Sequence, residues 1–141
     1  MLISFDLDDT LICYQDGTQR ERNRIPWFLR RWLNEPIRQG TRKLLRELRR
    51  QGWDIAVYTT SYRSERYIRL LLWLYGARLK KVINQYRHNQ EFSQRPNRRE
   101  LPSKVPYHFN IHLHVDDCHG VLLEGQRHGF RVVQVDPDAY I

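Results

Sequence analysis

The sequence predicts an α/β fold, a Rossmann-like three-layer sandwich with a five-stranded parallel sheet. Short apolar runs of strand length alternate with segments that have the apolar spacing of helices. This alternation favours parallel strands joined by crossover helices. Three of the apolar runs end in acidic or hydroxyl side chains. Ligands bind at that end of the strands in open parallel sheets.

The predicted elements follow one another along the chain. We predict strands over residues 2–5, 53–58, 81–84, 111–115 and 131–135, and helices over residues 40–51, 61–75 and 119–128. A glycine follows each helix, where glycine commonly ends one. Residues 85–103 are polar and contain two prolines, so they are predicted to be loop.

A small flap is predicted at about residues 12–34, between the first strand and the first helix. Pro26 is placed to open a short helix there. We expect Trp27, Phe28 and Trp32 to pack on the sheet. The functional alternative is a cover over the site, in which aromatic rings and arginines hold a polyanion.

Length and composition bound the class of protein. A chain of 141 residues is expected to form one domain, residues 1–141, with no room for a cap domain. No apolar run approaches the ~20 residues of a membrane span, and two cysteines give no disulfide framework. We therefore expect a cytoplasmic protein without a membrane partner. Only four of the 24 basic residues are lysine, which fits either phosphate binding or codon bias.

Acidic and hydroxyl residues mark the predicted site. Residues 6–10 read Asp-Leu-Asp-Asp-Thr after the first strand, Thr59 and Thr60 follow the second, and Asp116 and Asp117 follow the fourth. A helix-capping turn is the plain alternative for the first group. Alternation along a strand would point Asp6 and Asp8 the same way.

A bound cation would resolve the repulsion within such a site. Two carboxylates 4 Å apart repel by about 4 kcal/mol at an effective dielectric of about 20. Several such pairs would strain a domain whose stability is only ~5–15 kcal/mol. Oxygen ligands select Mg²⁺, so Mg²⁺ is the expected cofactor.

This combination of motifs resembles the haloacid dehalogenase-like hydrolase superfamily, in its capless, magnesium-dependent phosphatase form. Asp-x-Asp-x-Thr at residues 6–10 is similar to the first motif, Thr59 to the second, and Asp116-Asp117 to the fourth. Asp9 stands where glycine is common. Lys104 fits the third-motif lysine best, with Lys80 and Lys81 as alternatives.

The resemblance implies a role for each of these residues. Asp6 would attack phosphorus, Asp8 would serve as acid and then base, and Thr59 and Lys104 would complete the catalytic set. The phosphate-binding residues would be Thr59, Thr60 and Lys104. The metal ligands would be Asp6, Asp8, Asp116 and Asp117.

The expected function is Mg²⁺-dependent hydrolysis of a phosphomonoester through an aspartyl-phosphate. The expected partner is a phosphorylated substrate, with protein or nucleic acid as the candidate macromolecules. The alternative is a non-catalytic phosphate- or nucleic-acid-binding module on the same fold. Arg63 and Arg66 either meet substrate or lie on a solvated helix face. His112 and His114 are expected to reach water or a carbonyl, a metal site being the alternative.

Overall fold

The structure is a computed structural model that describes residues 1–15, 17–96 and 100–136. Its strands and α-helices are, in chain order, β1 (Leu2–Phe5), α1 (Thr41–Arg50), β2 (Asp54–Tyr58), α2 (Glu65–Leu74), β3 (Lys81–Ile83), α3 (Gln85–Phe92), β4 (Leu113–Asp116), α4 (His119–His128) and β5 (Val132–Gln134). Two short 3-10 helices, Trp27–Leu29 and Pro106–Phe109, lie between them. The predicted α/β class is confirmed.

The five strands form one parallel sheet in the order β3-β2-β1-β4-β5. The prediction that β1 lies centrally is therefore confirmed. Phe5 pairs in register with Val57 of β2 and with Val115 of β4. The strand order reverses beside β1, which is the topological position where ligands bind in open α/β sheets. β2, β1 and β4 are neighbours, so their C-terminal ends lie side by side at this edge of the sheet.

Helices cover both faces of the sheet. On one face α1 and α2 pack against inward side chains of β1 and β2 in a core that includes Ile3, Phe5, Leu45, Ile55, Val57, Ile68, Leu71 and Leu72. The opposite face forms a second core that includes Leu2, Ala56, Tyr58, Ile83, Phe92, Val105 and Phe109. Burial on both faces explains why these strands read as continuous apolar runs. No helix in the described ranges is long and apolar enough to cross a bilayer.

Residues 85–103 include a helix, so the prediction of loop there is wrong. Asn84 caps α3, because its side chain accepts a hydrogen bond from Arg87 N at 2.9 Å. Among the residues of this helix only Phe92 is buried. One anchoring ring gives no apolar periodicity, which is why the polar sequence resembles a loop.

The aromatic side chains of the flap do not pack on the sheet, contrary to the prediction. Trp27 is 81% exposed and Phe28 is 65% exposed. Ile25 and Leu33 fill the buried positions of this segment instead. Because branched aliphatic side chains occupy the space against the core, the rings of the neighbouring residues remain in solvent.

Candidate active site

Three carboxylates meet at the edge where β1 and β4 end. Asp6, Asp116 and Asp117 each offer an oxygen within 4.8 Å of the other two, and we call them the acid cluster. The register between β1 and β4 produces this meeting. Asp6 N donates to Val115 O at 2.9 Å, which sets Asp6 beside Asp116. The carboxylate of Asp8 is not a member of the acid cluster.

Lys104 supplies a buried cation between two of these acids. Its Nζ donates to Asp6 Oδ1 at 2.9 Å and to Asp116 Oδ2 at 2.5 Å. The side chain is 3% exposed. Lys80 instead pairs with an exposed acid at the opposite end of β2, and Lys81 donates to a backbone carbonyl. Of these three lysines, the structure brings Lys104 to the site.

Burial and charge separate the protonation behaviour of the two acids. Burial raises the pKa of Asp6 to about 7, although the ammonium of Lys104 opposes the rise. Burial acts in the same direction on Asp116, but a hydrogen bond from His114 and the charge of Lys104 hold its pKa well below the usual range. The two carboxylates in turn keep the pKa of Lys104 raised despite its burial. Asp116 and Lys104 are therefore both charged at neutral pH.

A hydrogen-bonded chain through His114 fixes the orientation of Asp116. His114 Nε2 lies 2.9 Å from Asp116 Oδ2, and Nδ1 lies 2.7 Å from Ser4 Oγ. Burial lowers the pKa of His114 to about 4, so the ring is neutral. An ionised carboxylate only accepts, so Nε2–H donates to Asp116 and Nδ1 accepts from the Ser4 hydroxyl. Of the two histidines expected to reach water or a carbonyl, His114 is fully buried and its ring also bonds to the backbone of Ser4, whereas His112, which accepts from Leu2 N, is exposed.

The loops that carry the first and fourth motifs are bonded to each other. Thr10 Oγ1 donates to Asp117 Oδ1 at 3.2 Å and accepts from Asp117 N at 3.1 Å. Cys118 N donates to Asp116 Oδ1 at 3.0 Å, at the start of α4. These contacts hold two members of the acid cluster at fixed positions relative to the loop after β1.

A buried arginine holds the turn of the first motif. Arg38, 1% exposed, donates through Nε to Thr10 O at 2.7 Å and through Nη2 to Asp9 O at 2.6 Å. Asp9 adopts a left-handed backbone conformation, with φ of 59°. Non-glycine residues rarely adopt it, so the bonds from Arg38 help to hold a strained turn. The sequence offered no signal for this role among so many arginines.

Asp8 belongs to a second polar group, which we call the Arg63 network: Asp8, Tyr14, Glu35 and Arg63. Arg63 bonds Asp8 Oδ1 at 2.9 Å and Glu35 Oε1 at 2.6 Å, and Tyr14 OH donates to Asp8 Oδ1 at 2.7 Å. Burial alone would raise the pKa of Asp8, but these bonds lower it. Sequence reasoning missed Glu35 and Tyr14, and it left the role of Arg63 open.

The hydroxyl residues after β2 lie at the same edge of the sheet. Thr59 is buried, and its Oγ1 accepts from Ser61 N at 3.1 Å, whereas Thr60 is exposed. Thr59 N donates to Ile83 O, which continues the pairing of β2 with β3. Thr59 thus lies one strand away from Asp6, and its phosphate-binding role remains a prediction, as does that of Thr60.

No protein-family model matches this chain, and no curated protein matches its sequence. The fold and the site define a parallel α/β protein with an acid cluster and a buried lysine at the topological switch point of its sheet. Its resemblance to haloacid dehalogenase-like hydrolases rests on motifs alone.

Proposed function

We propose that this chain is a Mg²⁺-dependent phosphomonoester hydrolase that acts through an aspartyl-phosphate on Asp6. The observation that supports this most strongly is the contact of Lys104 with both Asp6 and Asp116. A carboxylate nucleophile attacking a phosphate must approach a like charge. A buried ammonium beside that nucleophile reduces the repulsion and stabilises charge on the phosphoryl oxygens.

The acid cluster is chemically suited to a magnesium ion. A carboxylate has about four acceptor positions. Asp116 uses three of them, on Lys104, His114 and Cys118 N, so one position on Oδ1 is left. Asp6 and Asp117 likewise retain acceptor capacity. These three acids would hold the ion, which when bound would withdraw charge from the phosphate and lower the barrier to attack.

In the proposed reaction Asp6 and Asp8 divide the work. A carboxylate oxygen of Asp6 bonds to phosphorus as the bond from phosphorus to the ester oxygen breaks. The departing oxygen takes a proton from Asp8. A water molecule then loses a proton to Asp8 and attacks the same phosphorus, releasing inorganic phosphate and restoring Asp6.

The Arg63 network bears on when Asp8 can carry a proton. While Arg63 and Tyr14 bond to Asp8, its pKa is lowered and it is a base rather than an acid. Arg63 bonds to both oxygens of Glu35, at 2.6–3.2 Å. Asp8 can therefore leave Arg63 without leaving a guanidinium unpaired. We propose that substrate binding releases Asp8 from Arg63, which stays bonded to Glu35.

Hydrolysis of 4-nitrophenyl phosphate, in Mg²⁺ and in EDTA, tests the proposal. We expect Asp6→Asn to abolish turnover, because the amide is not a nucleophile. Asp8→Asn should slow turnover by about 10²–10⁴-fold, the usual contribution of a general acid, and should accumulate phosphorylated protein. Asp54→Asn, an exposed acid paired with Lys80, is the matched control and should retain activity.

Two outcomes would contradict the proposal. Wild-type turnover in Asp6→Asn would exclude the covalent route. Absence of Mg²⁺-dependent turnover in the folded wild-type protein on aryl, nucleotide and oligonucleotide phosphates would favour a binding module instead.

A further inference from the structure

The groove between the flap and the outer side of α2 exposes two large aromatic rings; we call it the aromatic face. Trp32 is 52% exposed and Trp73 is 64% exposed. Such rings bury 150–250 Å² when they pack, so leaving both in solvent gives up substantial stabilisation. Large exposed apolar patches commonly mark interaction sites.

The aromatic face has a defined shape. Trp32 and Trp73 line one groove of about 530 Å³, together with Leu70 and three arginines. The flap segment is fixed against α2, since Trp32 contacts the ring of Tyr67 edge to face at 5.4 Å. The bond between Glu35 and Arg63 ties the end of the same segment to the residue before the cap of α2. The groove is thus built from two elements held together.

The charge of the aromatic face is positive and largely unneutralised. The acids nearest to it in sequence are already engaged: Glu35 by Arg63, Glu65 by Arg69, and Glu21 by Arg42 N. Within the described ranges no hydrogen bond or ion pair involves the guanidinium of two exposed arginines that line the groove, Arg66 and Arg78. This face can therefore accept a polyanion without first breaking ion pairs.

We propose that the aromatic face binds single-stranded nucleic acid. Bases stack on exposed aromatic rings, and guanidinium groups both pair with phosphates and stack on bases. An acidic or phosphorylated peptide would use the arginines but has no bases to stack on the tryptophans. The combination of free rings with free guanidinium groups fits a single strand better than either feature would alone.

The aromatic face adjoins the Arg63 network along α2. Arg63, which bonds to Asp8, immediately precedes Ser64, the cap of α2. Trp73 lies nine residues beyond Ser64, about 14 Å along the helix at 1.5 Å per residue. A single-stranded nucleic acid that lies along α2 on this face would place its end at the site. That delivery of a phosphorylated end rests on the proposed phosphatase function, whereas the binding itself does not.

Fluorescence anisotropy with labelled oligothymidylate, in EDTA so that no turnover occurs, tests the binding. Trp73→Ala should weaken binding roughly tenfold, the loss of one stacked base, without changing its salt dependence. Arg66→Ala with Arg78→Ala should also flatten the plot of log K against log salt by about 1.4, since each phosphate contact on a single strand contributes about 0.7.

Matched controls lie on other elements of the chain. Tyr107→Ala removes an exposed ring, and Arg127→Ala with Arg131→Ala removes two exposed charges away from this face. We expect both controls to bind as the wild type does, and all variants to hydrolyse 4-nitrophenyl phosphate equally.

Three results would overturn the inference. They are no binding of oligothymidylate by the wild type, equal losses in the controls, and displacement of the oligonucleotide by an acidic phosphopeptide at equal concentration. The last would indicate a protein partner. If the wild-type protein bound the oligonucleotide but did not hydrolyse the aryl phosphate, the proposed function would be rejected and this inference would stand.

Discussion

Replacing Lys104 with methionine should destabilise the protein, and Mg²⁺ should restore part of the loss. Methionine keeps an unbranched stem in the buried space but removes the ammonium that bonds Asp6 and Asp116. The side chains of all three residues are at most 9% exposed. Two desolvated carboxylates would then face each other without a positive charge between them.

The expected loss follows from this burial. Removing one partner of a buried ion pair costs about 3–5 kcal/mol, a large part of the ~5–15 kcal/mol that stabilises a domain. The pKa of Asp6 is about 7 beside the Lys104 ammonium and should rise further when that ammonium is removed, so protonation of Asp6 limits the loss at low pH. The loss should therefore increase as the pH rises. A divalent cation at the acid cluster replaces the missing charge and should narrow the gap by about 1–3 kcal/mol.

Urea denaturation of wild type and variant, in EDTA and in Mg²⁺, measures the loss of stability and the part of it that Mg²⁺ restores. Lys81→Met is the matched control, because its ammonium is half-buried and donates only to Phe109 O. It should lose about 1 kcal/mol, equally in both media. An equal loss for Lys104→Met with and without Mg²⁺ would refute the reasoning that Lys104 and a cation share one acid cluster.

Variants at two further positions test a buried histidine and a strained turn beside the site. The pKa of His114 falls from 6.5 to about 4 on folding, so stability should drop by about 2 kcal/mol as the pH falls from 7 to 5, since the unfolded chain binds the proton first. His114→Gln should be less stable at pH 7 and should lose that part of the pH dependence, as urea titrations at several pH values in EDTA would show; an unchanged pH dependence would contradict a neutral buried ring. At Asp9, with φ of 59°, Asp9→Gly should be no less stable than the wild type and Asp9→Ala about 1 kcal/mol less stable by the same assay. Equal stability of the two Asp9 variants would show that the turn is not strained.

The elements with strong periodicity were predictable from sequence. The helix predicted over residues 119–128 is α4 without a shift, and β1 also has its predicted bounds. The predicted boundaries of helices and strands were wrong where another local signal was stronger. α2 begins at Glu65 rather than at residue 61, because Ser64 provides the cap. β4 begins at Leu113 rather than at residue 111, because the 3-10 helix Pro106–Phe109 and its left-handed end at Asn110 occupy the preceding chain.

The acid cluster was predictable because its members follow apolar runs. Its supporting contacts were not, because they join residues far apart in sequence. Ser4 and His114 are 110 residues apart, and Arg63 is 28 from Glu35 and 55 from Asp8. Such pairs depend on strand register and on how the flap folds back. The sequence around His114 or Glu35 does not indicate which distant residue its side chain contacts.

The charges of the site divide it into two unequal halves. In the acid cluster three carboxylates face one ammonium, that of Lys104. Burial and the neighbouring negative charge of Asp116 raise the pKa of Asp6 to about 7 and also raise the pKa of Asp117, as expected where negative charge exceeds positive charge. Most of it is buried, where such charge is costly and solvent screens it little.

The Arg63 network has the smaller excess of negative charge. Two carboxylates, those of Asp8 and Glu35, share one guanidinium, and Tyr14 OH adds a further donor to Asp8. The side chain of Asp8 is 41% exposed, so water screens what remains. A divalent cation therefore gains more from the acid cluster than from the neighbourhood of the Asp8 carboxylate. In the proposed mechanism this difference would leave the Asp8 carboxylate free of a metal bond and able to exchange a proton.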